Sequence, residues 1–358
     1  MIAPSPAIDD VPTERFRSRS FRVLDPFLES LAAVVIALVV CGAVLAISGH
    51  NPFAVYGELV QRTLFRPAGI EESLVRATPL LIASAAVLLA ARAGLWNIGI
   101  DGQVLIGALA AATVGASLDG FPAPVLWSGA LAVALLAGGA WAAVPALLRA
   151  KWQVNEIVTT IMFNYVALSL TSWLVKGPLR DESLVSPQTP LIPRDLRFPG
   201  LADTRIHAGI ILALAVWAVL GWWLSRTVAG FELRAVGLNP RAARHAMIPV
   251  VTVVAVALVA SGAIAALAGG NDVLSTKGTF QGEWSPEYGL SAFAIVFLAR
   301  RNMLALPLAA LFMGMLAYGA DVMPRAADIP SMFFTFFEGV LLVILASFHW
   351  RPWARWTR

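Results

Sequence analysis

Cysteine, histidine and charge are all scarce in this chain. Of 358 residues, 1 is cysteine, 4 are histidine and 13% are charged. Cys41 alone cannot form an internal disulfide, so cysteine usage is silent on redox compartment. His50, His207, His245 and His349 are scattered and, with a single thiol, compose no zinc-type spacing. No Gly-Lys pair occurs anywhere, which removes the phosphate-binding loop of nucleotide hydrolases. The G-x-S-x-G elbow and the H-E-x-x-H motif are missing as well. The chain is therefore expected to be no enzyme and to need no cofactor or metal. Any ATP hydrolysis that serves it belongs to another chain. Nucleic acid is excluded as a partner too: the net charge is +4, but no Lys/Arg-rich block carries interleaved aromatics.

What the chain has in excess is apolar surface. It is 58% hydrophobic with a mean hydropathy of +0.75, against roughly 45–50% apolar and about 25% charged in a soluble domain. The solvent that accepts this excess is membrane lipid. The leading "MIAPSPAIDDVPTERFRSRSFRVLDP" is too polar and too long for the n-region of a signal peptide, so the run after it reads as an uncleaved first helix. At about 20 residues per crossing, ten spans are expected at about 29–48, 73–91, 94–118, 122–148, 154–175, 207–225, 248–269, 288–299, 302–321 and 329–348. The eighth is short, which suits a tilted or discontinuous element. The expected fold is an all-α polytopic membrane protein with a tail at 1–28, a transmembrane domain at 29–348 and a tail at 349–358.

Arginine placement orients it. With both termini cytoplasmic, the inside segments hold Arg15, Arg17, Arg19, Arg22, Arg92, Arg149, Lys151, Arg226, Arg234, Arg241, Arg244, Arg300, Arg301, Arg351, Arg355 and Arg358. Trp222, Trp223, Trp350, Trp353 and Trp356 then fall near the inner boundary. The outer loop at 177–206 mixes charges and prolines and reads as ordered. The inner loop at 226–247 contains Asn239-Pro240, an N-cap followed by proline at the first helical position. A short helix from Pro240 to about Met247 carries Arg241 and Arg244 on one side and Ala242, Ala243 and Ala246 on the other. It reads either as a basic loop or as a dock for a cytoplasmic partner.

Ionisable groups are costly at membrane depth, and few are present. Arg76 and Glu156 sit near expected helix ends, while Asp101 and Glu338 lie deeper. In "RAGLWNIGIDGQ", Asn97, Asp101 and Gln103 stand among Gly94, Gly99 and Gly102 between two apolar runs. Such a stretch re-enters the bilayer as a broken or closely packed segment. In "KWQVNEIVTTIMFNYVALSL", Glu156, Thr160 and Asn164 recur every fourth residue on one face, extended sideways by Asn155 and Thr159. Interhelical bonding and pathway lining both account for that stripe. Glu338 is ringed by Phe333, Phe334, Phe336 and Phe337, rings that are more often core or lipid-facing than solute-stacking.

Three blocks in order, "ARAGLWNIGIDGQVLIGALAAA", "NEIVTTIMFNYVALSL" with "KGPLRD", and "GFELRAVGLNPRAARHAMI", resemble ABC-transporter permeases of the ribose and branched-chain amino acid superfamily, most closely its nucleoside-type branch. The resemblance covers about 70–348. It implies a type II importer permease of the bacterial cell (inner) membrane. A second permease subunit, paralogue or self, pairs with it around a central path, and ABC ATPase subunits and an extracytoplasmic solute-binding protein complete the importer. The coupling block maps onto Glu232, Arg234, Gly237, Asn239, Pro240 and Ala243, joined by Arg241 and Arg244. The family usually carries Glu where Asp101 stands. A sugar, vitamin or branched-chain amino acid permease is the alternative within the superfamily. An ion-coupled secondary transporter, with Asp101, Glu156 and Glu338 as proton sites, is the alternative outside it. The outer-loop residues Arg180, Arg194 and Arg205 are expected to dock the binding protein.

Overall fold

The computed structural model describes the backbone of residues 21–118 and 120–349 and the side chains of 28–118 and 120–348. Expectations for Arg15, Arg17, Arg19, Trp350, Arg351, Trp353, Arg355, Trp356 and Arg358 lie outside the described residues, as does that for the Arg22 side chain. Thirteen α-helices follow one another among the described residues. They are α1 (Phe21–Ile47), α2 (Pro52–Leu64), α3 (Pro67–Arg92), α4 (Ile100–Ser117), α5 (Ala123–Trp152), α6 (Glu156–Lys176), α7 (Gly209–Arg226), α8 (Val228–Leu238), α9 (Pro240–His245), α10 (Val250–Asp272), α11 (Tyr288–Leu298), α12 (Leu306–Ala326) and α13 (Met332–His349). A π-helical turn, Val273–Lys277, extends α10.

Eight helices are long and apolar enough to cross a membrane, and Tyr288–Leu298 and Met332–Phe348 are shorter apolar helices. A helix follows each of the ten apolar runs. Two features depart from expectation. The helix expected at 94 starts only at Ile100, because Gly94 turns with φ +75° and Leu95–Gly99 stay non-helical. And α2 was not foreseen: it is short and only moderately apolar, yet Asn51 caps it by accepting from Phe53 N at 3.0 Å ahead of Pro52.

Helix ends gather on two faces. One carries the ordered 177–208 loop. The other carries Arg92, Arg149, Arg226, Arg241, Arg244, Arg300 and Arg301. The centre is α3, α4 and α10, with α5 and α12 packed against them and α1, α6, α7 and α13 outside. Association of helices in lipid relies on close packing of small residues rather than on hydrophobic exclusion. The α5–α10 seam shows it. A Cβ on Gly138 would stand 2.2 Å from Ala266 Cβ and 2.6 Å from Gly262 O, whereas one on Gly139 would meet Ala263 Cβ at an ordinary 3.5 Å.

The long loop is fastened to the segment after α10. Ile192 N donates to Gly278 O and Phe198 N to Leu274 O, both at 2.8 Å, and Trp127 Nε1 holds Leu196 O at 2.8 Å. Arg205 pairs with Glu72 at 2.7 Å and Lys176 with Glu283 at 3.0 Å. His207 ends the loop, buried beside Asn271 with its Nδ1 unpaired. Burial pulls its imidazole down to about 4.

Two expectations follow. Gly138→Ala should overpack the seam and destabilise by about 1–3 kcal/mol, while Gly139→Ala should be neutral or stabilising through helix propensity; thermal unfolding in detergent compares them, and equal melting points would contradict the seam. A depressed histidine pKa favours the fold above its value: the unfolded chain takes the proton near 6.5, the folded one only near 4. Stability should therefore fall as pH drops from 6.5 through 4, by up to about 3 kcal/mol. His207→Gln should flatten that slope in melting curves recorded between pH 7 and 4.

Candidate functional site

The re-entrant stretch is built from amides. Asn97 Nδ2 donates to Gln103 Oε1 and to Ser261 Oγ, each at 2.9 Å, and Gln103 Nε2 donates back to Asn97 Oδ1 at 3.1 Å. Asn97 Oδ1 also accepts from Gly99 N at 3.1 Å. Ser261 Oγ in turn donates to Ala86 O at 2.8 Å, tying α10 to α3. Asn164 on α6 bonds both sides of the break: it accepts from Gly102 N and donates to Ile98 O, both at 2.8 Å. Thr160 Oγ1 accepts from Ile98 N at 3.3 Å. Asn97, Gln103 and Thr160 are buried. These side chains supply the partners that an interrupted helix loses in a medium without water.

The rest of the stripe lies at the arginine-bearing face. Asn155 is the N-cap of α6, accepting from Ile157 N at 2.9 Å. Glu156, one residue on, pairs with Arg149 at 3.2 Å. Val158 and Met162, on the far side of α6, are exposed.

Asp101 does something different. Its Oδ1 accepts from Gly289 N at 2.7 Å, in the first turn of α11. That helix has 11 residues, so at 1.5 Å per residue it spans about 16 Å, half of a bilayer core of about 30 Å. Its other end sits at the arginine-bearing face, where Leu298 O accepts from Ser30 Oγ at 2.9 Å. The N-terminus of α11 is therefore at mid-depth. A free helix N-terminus carries about half a positive charge and attracts anions; here a carboxylate of the chain itself occupies it. Glu338 joins from α13, accepting from Ser291 Oγ at 2.8 Å.

Several residues here were not singled out from the sequence. Glu287, with φ +54°, is exposed and is an electrostatic neighbour of both Asp101 and Glu338. An exposed carboxylate at mid-depth does not face lipid. Tyr288 bonds Asp272. Trp96, 37% exposed, stacks on Phe293 with centroids 6.0 Å apart and lies 5.8 Å from Phe297. The clue was "SPEYG", a Pro-Glu turn opening an apolar run too short to span. The phenylalanines around Glu338 divide: Phe334 and Phe337 are buried, Phe333 packs edge-on against Phe334, and Phe336 is exposed. Arg76 pairs with Asp321.

The inner loop folds as two helices. Thr227 caps α8, accepting from Gly230 N at 3.1 Å; Asn239 caps α9, accepting from Arg241 N at 3.0 Å and Ala242 N at 3.1 Å. The second helix ends at His245 rather than near Met247, and of its alanine side only Ala243 is buried; Ala242 and Ala246 are exposed. Arg241 and Arg244 are exposed, as are Phe231 and Leu238, while Glu232 and Arg234 are half-buried. Gly237 lies against the turn that starts the re-entrant segment: a Cβ there would come within 2.1 Å of Arg92 O.

Comparison with known proteins identifies the family. The profile of the family described as branched-chain amino acid transport system / permease component matches residues 69–346. A glucose ABC transporter permease protein of Haloferax volcanii is 35% identical over 88% of this chain and 85% of its own length. A guanosine ABC transporter permease protein of Bacillus subtilis is 32% identical, covering 90% and 94%. A nucleoside ABC transporter permease protein of Lactococcus lactis is 26% identical, covering 90% and 91%. Such permeases are transport components rather than catalysts, and their systems include an ATPase and a solute-binding protein. The chain belongs to this family of permease components and is a multi-pass membrane subunit of an ABC importer.

Proposed function

We propose that the importer carries nucleosides, that this chain crosses the membrane ten times with both termini in the cytoplasm, and that it pairs with a second permease subunit around the path. The observation that carries the solute class is Asp101 on Gly289 N. Half-helix N-termini at mid-depth hold anionic solute groups in other transporters. With that position filled by a carboxylate, and Glu287 and Glu338 beside it, an amino-acid carboxylate is disfavoured and an uncharged polar solute is accommodated. The exposed Trp96 ring, stacked on Phe293, offers a face on which a planar base stacks. Guanosine and nucleoside permeases among the relatives support the same choice. Glucose is the second reading, favoured by the archaeal relative.

The cytoplasmic face is the arginine-bearing one. The α8–α9 pair, with Arg241 and Arg244 beside exposed Phe231 and Leu238, is the dock for the ATPase. ATP-driven movement of α8 reaches the re-entrant segment through the contact of Gly237 with Arg92–Gly94, and alternating access follows from tilting of the packed helices. On the opposite face exposed Arg194, and Arg180 bonded only to the loop carbonyls of Leu184 and Val185, are offered to the binding protein, while Arg205 is engaged with Glu72.

Uptake by the reconstituted complex tests the solute: guanosine or uridine should accumulate with ATP, and uptake of leucine or glucose without nucleoside would overturn the choice. Asp101→Leu should lower uptake about tenfold or more, since it strips a charged acceptor from a buried N–H, whereas Asp101→Glu should retain transport; full uptake by the leucine variant would leave Asp101 without this role. The double reversal Arg241→Glu, Arg244→Glu should leave a folded chain whose ATPase no longer responds to loaded binding protein. Unaltered stimulation would refute the dock.

A further inference from the structure

A cavity of about 200 Å³ lies within the protomer between α3, α11, α12 and α13. Ser291 and Glu338 form its mid-depth end, Arg76 its end nearer the long-loop face, and Thr335, Tyr288 and Glu287 its flanks. Its hydrogen-bonding capacity is unevenly used. Glu338 Oε2 accepts from Ser291, while Oε1 has no partner among the described residues. A carboxylate offers about four acceptor positions, so most of this one is unspent. Arg76, which lines the cavity, gives Nη2 to Asp321, and its Nη1 has no acceptor among the described residues. Tyr288 is committed to Asp272. The cavity thus combines an unspent carboxyl acceptor with an unmet guanidinium donor, beside the aromatic wall of Phe334.

Few ligand groups match that pair. A carboxylate or phosphate is repelled by Glu338 and Glu287. An organic cation leaves the Arg76 donor unmet. Neighbouring hydroxyls on a ring both donate and accept, and the ring's C–H face suits an aromatic wall. We propose that this cavity is a hydroxyl subsite on the solute path, taking the vicinal hydroxyls of a sugar ring, whether the ribose of a nucleoside or a free hexose. Glu338 accepts from one hydroxyl and Thr335 adds a second polar contact at the open flank. The subsite rests on the importer reading above, but not on the choice between nucleoside and sugar.

The test uses the complete importer in proteoliposomes, with the binding protein saturated by each solute so that its own selectivity drops out. Two pairs are compared: uridine with 2′,3′-dideoxyuridine, and glucose with 2-deoxyglucose. The wild type should carry the hydroxylated member of whichever pair it transports about tenfold faster or more, as expected when an acceptor within the cavity is left unmatched by the deoxy solute. Glu338→Gln and Thr335→Val should each shrink that ratio by slowing the hydroxylated solute more than the deoxy solute. Intact assembly with the ATPase on size exclusion shows the variants to be folded. A wild-type ratio near one, or a ratio unchanged in both variants, overturns the subsite. If glucose is carried and uridine is not, the nucleoside reading fails while the glucose pair still decides the subsite.

Discussion

Lipid offers no hydrogen bonds, and this chain interrupts its helices below the membrane surface in two places. The polar contacts of the centre follow from satisfying the groups so exposed. At the first break, Leu95–Gly99, the amides of Asn97, Gln103 and Asn164 and the hydroxyls of Thr160 and Ser261 take up the backbone and one another. At the second, ahead of α11, Asp101 reaches across from α4 to Gly289 N. The two breaks are neighbours, and each is completed by the other's surroundings. Removing one partner leaves a buried polar group unmatched, which costs about 1–3 kcal/mol even in water-soluble proteins.

The electrostatic consequence bears on the proposed solute path. A half-helix pointing its N-terminus at mid-depth attracts negative charge. In this chain the attraction is answered internally, and the carboxylates of Glu287 and Glu338 stand close by. On the proposed path this charge disfavours an anionic cargo, and it does not distinguish glucose from guanosine, the neutral solutes named for two relatives.

Much of the fold was legible because lipid simplifies the code. Twenty apolar residues have few other uses, so all ten runs became helices, and arginine marked one face. Asn239-Pro240 marks a helix start, and the identical Asn51-Pro52 marks α2, whose modest apolarity gives it no hydropathy signal of its own. The site was less legible. Spacing puts Glu156, Thr160 and Asn164 on one face, yet it does not say that Glu156 meets Arg149 at one end while Asn164 serves a backbone 62 residues away. Glu287 was invisible for the opposite reason: it sits outside any helix, where an acidic residue looks like loop, and only the half-length of α11 brings it to mid-depth.

That half-length also bears on how movement crosses the membrane. A continuous helix transmits a push along its axis to the far face. The re-entrant segment ends instead beside α11, about 16 Å from the arginine-bearing face by helix rise, and it begins where Gly237 of α8 touches Arg92–Gly94 with no room for a Cβ. A displacement of α8 therefore meets rigid backbone at one end of a seven-residue link and the Asp101–Gly289 bond at the other. Packed interiors rearrange between discrete states rather than deform smoothly, and a short link pinned at both ends favours such a step. The proposed dock at Arg241 and Arg244 and the proposed path at Glu287 are thus joined by the same interruption that the amide network stabilises.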